Sequence, residues 1–348
     1  MPELKHYTVA QVRNWLEHNI AADGLTSEVI RPASAWAIIH NPFVKDEDPI
    51  IAAIYDNGVL AASTCACPEI LEQPIVTDEK GNPKRIWWFP MLWVKPEFRG
   101  LAYGLIAIGS LAEIYGEDYS WTAWAVPEAI EIFEHLGLKT HYFPRVFMGE
   151  KDILTYSLRG KVAYKCQQMM KWWYNRRKPT LPSYDYSLRY LNCVDDESYE
   201  FICQHRAKHF IHSSQAYINW EVQYSWNISA PLAERVPQDG AFFAERTHLQ
   251  IFSWVQVWMH DALIGVYRLR RNESGLTCDY IYYCDEHADI VYASVVEHLK
   301  KINASHFDTE DEDLALFVQQ YIYFPKCRTE QLSLSISPNI DYPEHLKR

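Results

Sequence analysis

The chain has 348 residues, a formal net charge of −12, and 48% hydrophobic residues including an unusual number of aromatic ones. This length suits two domains better than one, and the composition excludes an intrinsically disordered chain. The acidic balance makes nucleic acid an unexpected partner, because affinity for a phosphate backbone comes from Lys and Arg.

The compartment is indicated by what the sequence lacks. No stretch reaches the ~18 apolar residues that a membrane-spanning helix needs, and the amino terminus carries no apolar leader. The eight cysteines form no framework, and Cys65-Ala66-Cys67 lacks the spacing of a metal or redox pair. We therefore expect a cytoplasmic protein with free thiols, no membrane insertion and no bound metal.

The first 150 residues predict a mixed α/β order. Helices are predicted at 8–20 and 27–39, followed by strands at 50–55 and 59–66, and Asn57-Gly58 between these strands is a hairpin signal. A strand at 86–94, a glycine-containing loop, a helix at 105–115, a strand at 119–126, a helix at 127–136 and a strand at 141–148 follow. This order predicts one sheet covered by helices.

The second half predicts a similar order. Residues 151–185 are predicted to be a helical linker that is broken by prolines. After it come a helix at 195–210, an aromatic loop at 217–226, strands at 253–259, 262–270 and 276–284, and helices at 291–302 and 313–321. Tyr142-Phe143-Pro144-Arg145 recurs as Tyr323-Phe324-Pro325-Lys326. The sequence thus predicts two similar domains, 1–150 and 186–348.

The main basic cluster runs from Lys171 to Lys178 and contains two tryptophans. Such a segment could contact a phosphate group or an anionic membrane surface. The interpretation favoured by the sequence is a helix that buries its tryptophans and exposes its charges.

The segment Arg99-Gly100-Leu101-Ala102-Tyr103-Gly104 lies between a predicted strand and a predicted helix. A glycine-containing turn at such a junction offers backbone N–H groups and the positive end of a helix to a pyrophosphate. In this context it resembles the acyl-CoA loop of the GNAT superfamily, Arg/Gln-x-x-Gly-x-Gly/Ala. The resemblance implies that residues 99–104 bind acyl-CoA as the co-substrate, and that the strand residues Leu92, Trp93 and Val94 flank its pantetheine arm.

A second segment supports the same resemblance. Residues 126–138, with Ala129-Ile130 and Glu134-His135-Leu136-Gly137, are similar to the superfamily's Asn-x-x-Ala-Ile-x-Leu-Tyr-Glu-x-Leu-Gly-Phe pattern. Val126 replaces the Asn and Phe133 replaces the Tyr that protonates the leaving thiolate in many members. Phenylalanine has no proton to give, so this general-acid role is missing or is filled elsewhere.

The sequence does not single out a general base, because the strand at 86–94 contains no ionisable residue. His40 and Asn41, at the end of the second predicted helix, are the candidate catalytic residues, and Trp36 lies one turn before His40. Glu69 and Glu72 are the alternatives.

The second half has the GNAT element order but not the loop, since Cys284-Asp285-Glu286-His287-Ala288-Asp289 stands in its place. Three carboxylates would repel a pyrophosphate, so the second domain is predicted to be degenerate and to shape the acceptor site. Its candidate substrate-binding residues can stack on rings or hydrogen-bond a sugar; they are Tyr217, Trp220, Trp226, Asp279 and Tyr282.

The whole chain resembles tandem GNAT acyltransferases of bacterial surface-polysaccharide pathways (O-antigen, lipopolysaccharide). Ala35–Phe43 is similar to their Trp…Asn-Pro segment, and Tyr217-Ile218-Asn219-Trp220 to a Tyr-x-x-Trp segment. The resemblance implies N-acylation of a nucleotide-linked amino sugar such as a dTDP-3-amino-3,6-dideoxyhexose. A GNAT enzyme acting on a polyamine, amino acid or peptide amine, or a non-catalytic CoA-binding module, are the alternatives. The oligomeric state stays open, a monomer included.

Overall fold

The chain divides into two compact units that are discontinuous in sequence. A computed structural model describes residues 2–73, 77, 80–115, 120–123, 127–150, 158–205, 212–224, 251–272 and 275–338. Unit 1 comprises Met1–Phe143, Ala207–Leu232 and Leu332–Arg348, and unit 2 comprises Pro144–Arg206 and Ala233–Gln331. The sequence-based division, by contrast, placed one continuous domain on either side of a linker at 151–185.

The first half of the chain alternates helices and strands much as the sequence predicts. The helices are α1 (Val9–His18), α2 (Pro32–Ile39), α3 (Tyr103–Tyr115), α4 (Pro127–His135) and α5 (Leu158–Asn175). The strands are β1 (Glu3–Thr8), β2 (Pro49–Asp56), β3 (Val59–Glu69), β4 (Leu71–Gln73), β5 (Ile86–Val94), β6 (Ser120–Ala123) and β7 (Lys139–Gly149). The first strand, β1, is absent from the sequence-based prediction.

The second half contains more strands than predicted. Its helices are α6 (Asp196–His205), α7 (Gln215–Gln223), α8 (Ala288–Lys301) and α9 (Glu312–Tyr321). Its strands are β8 (Ser187–Leu191), β9 (His212–Ser213), β10 (Ile251–Met259), β11 (Ala262–Asn272), β12 (Gly275–Tyr283), β13 (His306–Thr309) and β14 (Lys326–Ile336). The predicted aromatic loop at 217–226 is wrong as far as Gln223, because these residues form α7, which the Ser214 side chain caps.

The hairpin between β2 and β3 has the turn that its sequence predicts. Asn57 and Gly58 have φ values of 51° and 77°, as a two-residue type I′ turn requires. The strands that flank the turn pair antiparallel from Asp56–Val59 to Ile51–Cys65. This turn fixes which β3 residues share a face, because side chains alternate along a strand.

The same pairing pattern occurs in both units. In unit 1 the strand order is β1-β2-β3-β5-β6-β14, and in unit 2 it is β8-β10-β11-β12-β13-β7. In each order the first three pairs of neighbouring strands are antiparallel. The fourth pair is parallel and its two strands are connected by a helix, and the fifth pair is antiparallel. The fold is therefore a mixed α/β arrangement that occurs twice.

The last strands of the two halves are exchanged. β7 follows α4 in the chain, yet its residues Val146–Gly149 pair with β13 in unit 2. β14 follows α9, and its residues Leu334–Ile336 pair with β6 in unit 1. Each unit thus completes its sheet with a strand from the other half of the sequence.

Each unit has its own apolar core. In unit 1, β2 and β3 carry side chains buried on both faces, and α3 packs on them with Ala107, Ile108 and Leu111. In unit 2, the apolar side of α8 packs on β11 and β12. Because β3 is covered on both faces, any polar group along it has to be matched inside the protein.

The prediction that the helix around residue 172 buries its tryptophans is wrong. Trp172 and Trp173 are exposed on α5, whereas Lys171 of the same helix is buried. The reason is a hydrogen-bonded ion pair: the Lys171 ammonium donates to Glu150 at 2.7 Å. A buried cation with such a partner fixes which side of the helix faces inward.

Close packing of α8 on β11 depends on Gly265. A Cβ atom at this position would lie 2.5 Å from Cγ2 and 3.1 Å from Cγ1 of Val291. We therefore expect Gly265→Ala to lower the free energy of unfolding by about 1–3 kcal/mol. Chemical denaturation followed by circular dichroism measures this change.

The double variant supplies the control for Gly265→Ala. If the clash with Val291 causes the loss, Val291→Ala should destabilise the Gly265→Ala protein less than it destabilises the wild type. Strictly additive effects of the two substitutions would contradict this explanation.

Candidate acyl-CoA and amine sites

The segment 99–104 forms a tight turn into α3, as the sequence predicts. A single 3₁₀ turn, Pro96–Phe98, follows β5, and α3 begins at Tyr103. Between them Gly100 has a φ of 85° and Ala102 a φ of 59°, and Arg99, Leu101 and Ala102 are exposed. A Cβ atom on Gly100 would meet nothing within 4 Å, so the turn faces open space.

The first turn of α3 presents unpaired backbone donors. The first hydrogen bond into the helix is donated by the N–H of Ile106 to the carbonyl of Ala102, at 3.0 Å. Among the described residues, the N–H groups of Tyr103, Gly104 and Leu105 have no partner, as at any helix start. Arg99 likewise makes no ion pair with the described part of the chain. Together these groups can hold an anion.

The loop is held in place from both sides. The Tyr103 hydroxyl donates to Oδ2 of Asp56 at 3.0 Å, which ties the loop to the β2–β3 turn, and this hydrogen bond raises the pKa of Tyr103. Gly104 is buried, and a Cβ there would lie 3.1 Å from Cγ2 of Val94. Gly104 therefore allows α3 to start directly against the end of β5.

β5 leaves one edge open beyond a bulge. Cys65 pairs with Met91 and Cys67 with Trp88, so Phe89 and Pro90 together oppose the single residue Ala66. Proline suits a bulge because it has no N–H to give to a ladder. β6 pairs with β5 only at Trp87 and Trp88.

The open edge includes the strand residues that the sequence assigned to the pantetheine arm. Leu92, Trp93 and Val94 pair with Thr64, Ser63 and Ala62 of β3, which leaves their other backbone edge without a strand in the described part of the chain. Trp93 is exposed there. Free N–H and C=O groups at such an edge can pair with an amide-containing chain.

A second group of predicted residues meets on α2 and α7 of unit 1. We call Trp36, His40, Tyr217, Trp220 and Tyr224 the aromatic cluster. The His40 ring stacks on Tyr224 at 4.8 Å and lies 4.1 Å from the Trp36 ring, and the Tyr217 and Trp220 rings are 5.0 Å apart. The Trp220 indole donates to the carbonyl of Ala37 at 2.8 Å, which docks α7 on α2.

The hydrogen bond of His40 sets its tautomer. Nδ1 lies 2.9 Å from the carbonyl oxygen of Trp36. A carbonyl only accepts, so Nδ1 carries the proton of the neutral ring, and Nε2 is left with the lone pair. No hydrogen bond of the described residues occupies Nε2, and the residue is half-buried. His40 can therefore accept a proton from a bound group.

Asn41 uses its whole side chain to hold the backbone. Its amide nitrogen donates to the carbonyl of Pro68 at 3.0 Å and contacts the Cys67 sulfur at 3.2 Å, while its oxygen accepts from the N–H of Phe43 at 2.8 Å. These contacts join the end of α2 to β3 beside Ala66, which opposes the β5 bulge. They fix the backbone next to His40 to Cys67 and Pro68, which follow Ala66 directly in β3.

Glu69 is the unexpected feature of this region. It lies on the same face of β3 as Cys67 and is fully buried, yet neither carboxyl oxygen has a hydrogen bond of normal geometry. Burial raises the pKa of Glu69 well above 4.5; nearby Ser213 opposes the shift, and the negative charge of Glu221 adds to it. The signal in the sequence was a carboxylate at the end of an apolar strand.

The remaining predicted acceptor residues lie elsewhere. Asp279 and Tyr282 belong to β12 in unit 2, where Tyr282 is buried. The Asp279 carboxylate is surrounded by Arg145, Arg268 and Arg270 at 3.1–3.3 Å. Trp226 and Val126, and the side chain of Glu72, lie outside the described residues. The structure thus brings five of the predicted residues together, namely Trp36, His40, Asn41, Tyr217 and Trp220, all in unit 1.

The comparisons with known proteins address the fold. No family model and no curated protein matches the sequence. A protein of unknown function from Enterococcus faecalis V583, provisionally classed as an N-acyltransferase, is 9% identical, with a TM-score of 0.52 over 97% of this chain and 73% of its own. A protein from Pyrococcus horikoshii, provisionally classed as an acetyltransferase, is 7% identical, with a TM-score of 0.51 over 98% and 91%.

A tandem GNAT protein of the clavulanic acid biosynthesis pathway is 10% identical over 98% of this chain and 100% of its own, although its TM-score of 0.49 adds no argument. At such identities a likeness shows the fold alone. Together with the pairing pattern that occurs twice, the likeness to the Enterococcus and Pyrococcus structures shows a mixed α/β fold of two units with the same strand order. The predicted fold class is confirmed.

The loop can be tested at Leu101, which is exposed and packs on no core residue. We expect Leu101→Glu to weaken CoA binding by at least about tenfold, because a carboxylate beside a pyrophosphate is repelled. Isothermal titration calorimetry with CoA measures the dissociation constant. Leu101→Gln is the matched control of equal size, and equal losses in both variants would count against an anion site here.

The buried carboxyl predicts a particular pH dependence of stability. Because its folded-state pKa is raised, Glu69 favours folding when protonated, and that contribution is lost as the pH rises above about 4.5. Glu69→Gln keeps the shape without the titration. Its free energy of unfolding relative to wild type should therefore increase with pH. Denaturation across a pH series measures the difference; Glu113→Gln on the exposed side of α3 is the control.

Proposed function

We propose that the chain is an acyl-CoA-dependent N-acyltransferase that acylates a primary amine bound at the aromatic cluster. The observation that carries the proposal is the continuous series of open backbone groups from the α3 N-terminus to the β5 bulge. This series suits the pyrophosphate at one end and the pantetheine amides along the strand. Among the described residues, β12 also leaves an edge without a strand beyond Cys278, but the turn that follows it, Asp285–His287, contains two carboxylates and no glycine.

The chemistry at the bulge is a direct acyl transfer. The neutral amine attacks the carbonyl carbon of the thioester, the carbon–sulfur bond breaks, and CoA leaves as the thiolate while an amide forms. A thiolate is a tolerable leaving group near neutral pH. The step thus needs orientation and removal of the amine proton more than it needs an acid. This fits Phe133, which is buried against Phe89 and has no proton to donate.

His40 is the proposed proton acceptor. Its Nε2 has no hydrogen bond to the part of the chain that the structure describes, and Asn41 anchors the neighbouring backbone to Pro68 of β3. Asn41 acts here as a positioning residue, since all its hydrogen bonds go to the chain itself. Glu69 is the alternative base: at ~3.3 Å per residue, the three positions between Ala66 and Glu69 put it about 10 Å from the bulge along β3.

The acceptor proposed first is an amino sugar. The half-buried Trp36 ring, beside His40, is suited to stacking on the apolar face of a sugar. Tyr217 and Trp220 are buried and support this site by docking α7 on α2. The sequence resemblance favours a nucleotide-linked form, as in surface-polysaccharide pathways. The negative charge of Glu221, which acts on Glu69, favours a cationic amine without phosphates, such as a free amino sugar or a polyamine, because a carboxylate repels a diphosphate.

A thiol-release assay distinguishes these acceptors. The full-length protein is incubated with acetyl-CoA and longer acyl-CoAs, and with a dTDP-linked amino sugar, a free amino sugar, a polyamine or a peptide amine. We expect release only with one amino-sugar acceptor, with mass spectrometry detecting the N-acylated product. Thiol release only with the polyamine or only with the peptide would show that the acceptor is that amine and not an amino sugar. CoA binding without turnover on any amine would favour a non-catalytic CoA-binding module.

The same assay separates the two candidate bases. With the acceptor so found, His40→Gln should lower kcat by about 10²–10⁴-fold, as expected for loss of a general base, with little change in the KM for acyl-CoA. Glu69→Gln is the comparison variant. A larger loss of kcat in Glu69→Gln than in His40→Gln would assign the base to Glu69 instead.

A further inference from the structure

The polar side of helix α5 packs on the rest of unit 2, the unit to which the helix belongs. Lys171 and Gln167 are buried, and the Lys171 ammonium donates to Glu150 at 2.7 Å and to the carbonyl of Ala304 at 2.9 Å. Gln168 also donates to Glu150, at 2.7 Å. These contacts attach the helix through hydrogen bonds and one ion pair, with little apolar burial.

The opposite side of α5 is apolar and faces solvent. Val162, Cys166, Met169 and Trp173 follow the spacing i, i+4, i+7, i+11, which puts them on one stripe of a helix with 3.6 residues per turn. Val162 is 55% exposed, Met169 63% and Trp173 41%, and the adjacent Trp172 is 60% exposed. We call Val162, Cys166, Met169, Trp172 and Trp173 the α5 stripe. An apolar stripe on a helix normally packs against a core, whereas these side chains are exposed.

Positive charge surrounds the stripe. Residues 158–178 contain none of the chain's Asp or Glu residues, although the chain has 45 of them against 33 Lys and Arg. The cationic residues of this segment are Arg159, Lys161, Lys165, Lys171, Arg176, Arg177 and Lys178. The guanidinium of Arg177 lies 3.3 Å from the ring centre of Trp173, and that of Arg176 lies 5.0 Å from that of Trp172. The remainder of the chain is therefore more acidic than its net charge of −12 indicates.

We propose that α5 and the Arg176–Lys178 segment form an interfacial helix that binds the surface of an anionic lipid bilayer. The stripe enters the boundary between headgroups and acyl chains, the tryptophans lie at headgroup level, and the flanking Lys and Arg side chains reach the lipid phosphates. Among the described helices none is long and apolar enough to cross a membrane, so α5 lies on the surface.

Charge complementarity favours lipid over a second copy of the chain. Two α5 stripes packed face to face would bring two sets of cations together, without a carboxylate in either segment to pair with them. An anionic surface meets the exposed cations of α5 and its end with the opposite charge, whereas Lys171 is already paired with Glu150. These exposed cations are Arg159, Lys161, Lys165, Arg176 and Arg177. The binding is independent of the proposed acyl transfer.

Vesicle co-sedimentation of the full-length chain tests the proposal. We expect binding to vesicles of phosphatidylcholine with phosphatidylglycerol, little binding to phosphatidylcholine alone, and weakening by salt. The triple variant Val162→Ser/Met169→Ser/Trp173→Ser should lower the partition coefficient at least about tenfold. Leu316→Ser, which removes an equally exposed apolar side chain on α9, is the control and should bind like wild type.

A charge variant makes the second arm. Lys161→Glu/Lys165→Glu should lose binding to anionic vesicles, while Arg328→Glu, an exposed cation on β14, should keep it. Circular dichroism verifies that each variant is folded. Absence of binding to anionic vesicles, or equal binding by the α5-stripe variant and wild type, would overturn the proposal. Self-association in sedimentation velocity that the α5-stripe variant abolishes, without vesicle binding, would assign the stripe to a second copy.

Discussion

The first unit is organised around one constraint: backbone groups at the end of β5 and the start of α3 have no partner within the described chain. The β5–β6 pairing stops at Trp88, and the bulge at Phe89-Pro90 turns the rest of β5 away from its neighbour. An unsatisfied polar group that becomes buried costs about 1–3 kcal/mol. A ligand that brings its own amides and phosphates satisfies these groups, and water does so in its absence. Gly104, which packs on Val94, and Tyr103, which donates to Asp56, hold the start of α3 beside this edge.

In the second unit the corresponding strand, β12, also has a bulge, and charged side chains pair with one another there. β12 has a bulge where Arg268 pairs with Tyr280 and Leu269 with Cys278, which puts Asp279 at the irregular position. Burial would raise the pKa of Asp279, but Arg270, Arg268 and Arg145 lower it, so the carboxylate is charged. Arg145 also pairs with Asp308. The bulge of unit 2 is therefore held by paired side-chain charges, whereas the bulge of unit 1 consists of Phe89 and Pro90.

Arg145 also gives a reason for the strand exchange. It is carried by β7, and its planar guanidinium reaches both Asp279 and Asp308 within unit 2. The strand pairing matches Val146 of β7 to Leu334 of β14, which puts Ser333 at the position of Arg145. A serine hydroxyl carries no charge to pair with a carboxylate. Placing β14 in the position of β7 would therefore leave two buried carboxylates poorly paired, at a cost of several kcal/mol.

Local sequence predicted the features that depend on neighbours in the chain. The Asn57-Gly58 pair specifies its turn because both residues tolerate the positive φ that the turn requires. The Arg99–Gly104 segment lies between a strand and a helix, as expected. The exchange of β7 and β14 could not be predicted, because Tyr142–Arg145 and Tyr323–Lys326 have nearly the same sequence. Which strand pairs with which depends on contacts between residues that are far apart in the chain. Asn41 was assigned to catalysis, with His40, from its position at the end of the second predicted helix. Its role in holding β3 depends on contacts with Cys67 and Pro68, which are distant in the sequence.

The orientation of α5 shows which interaction wins when a helix has two faces that could be buried. Burying Trp172 and Trp173 would be worth roughly 2–3 kcal/mol each on area alone. It would also turn Lys171 away from Glu150. The partly buried Glu150 carboxylate would then lose its cation. Breaking such a pair costs about 3–5 kcal/mol. These two amounts are of similar size, so the further hydrogen bonds on this side of α5 decide between them: Gln168 donates to Glu150 and Lys171 to the carbonyl of Ala304. The polar contacts together set the rotation of the helix, and the apolar stripe is exposed as a consequence.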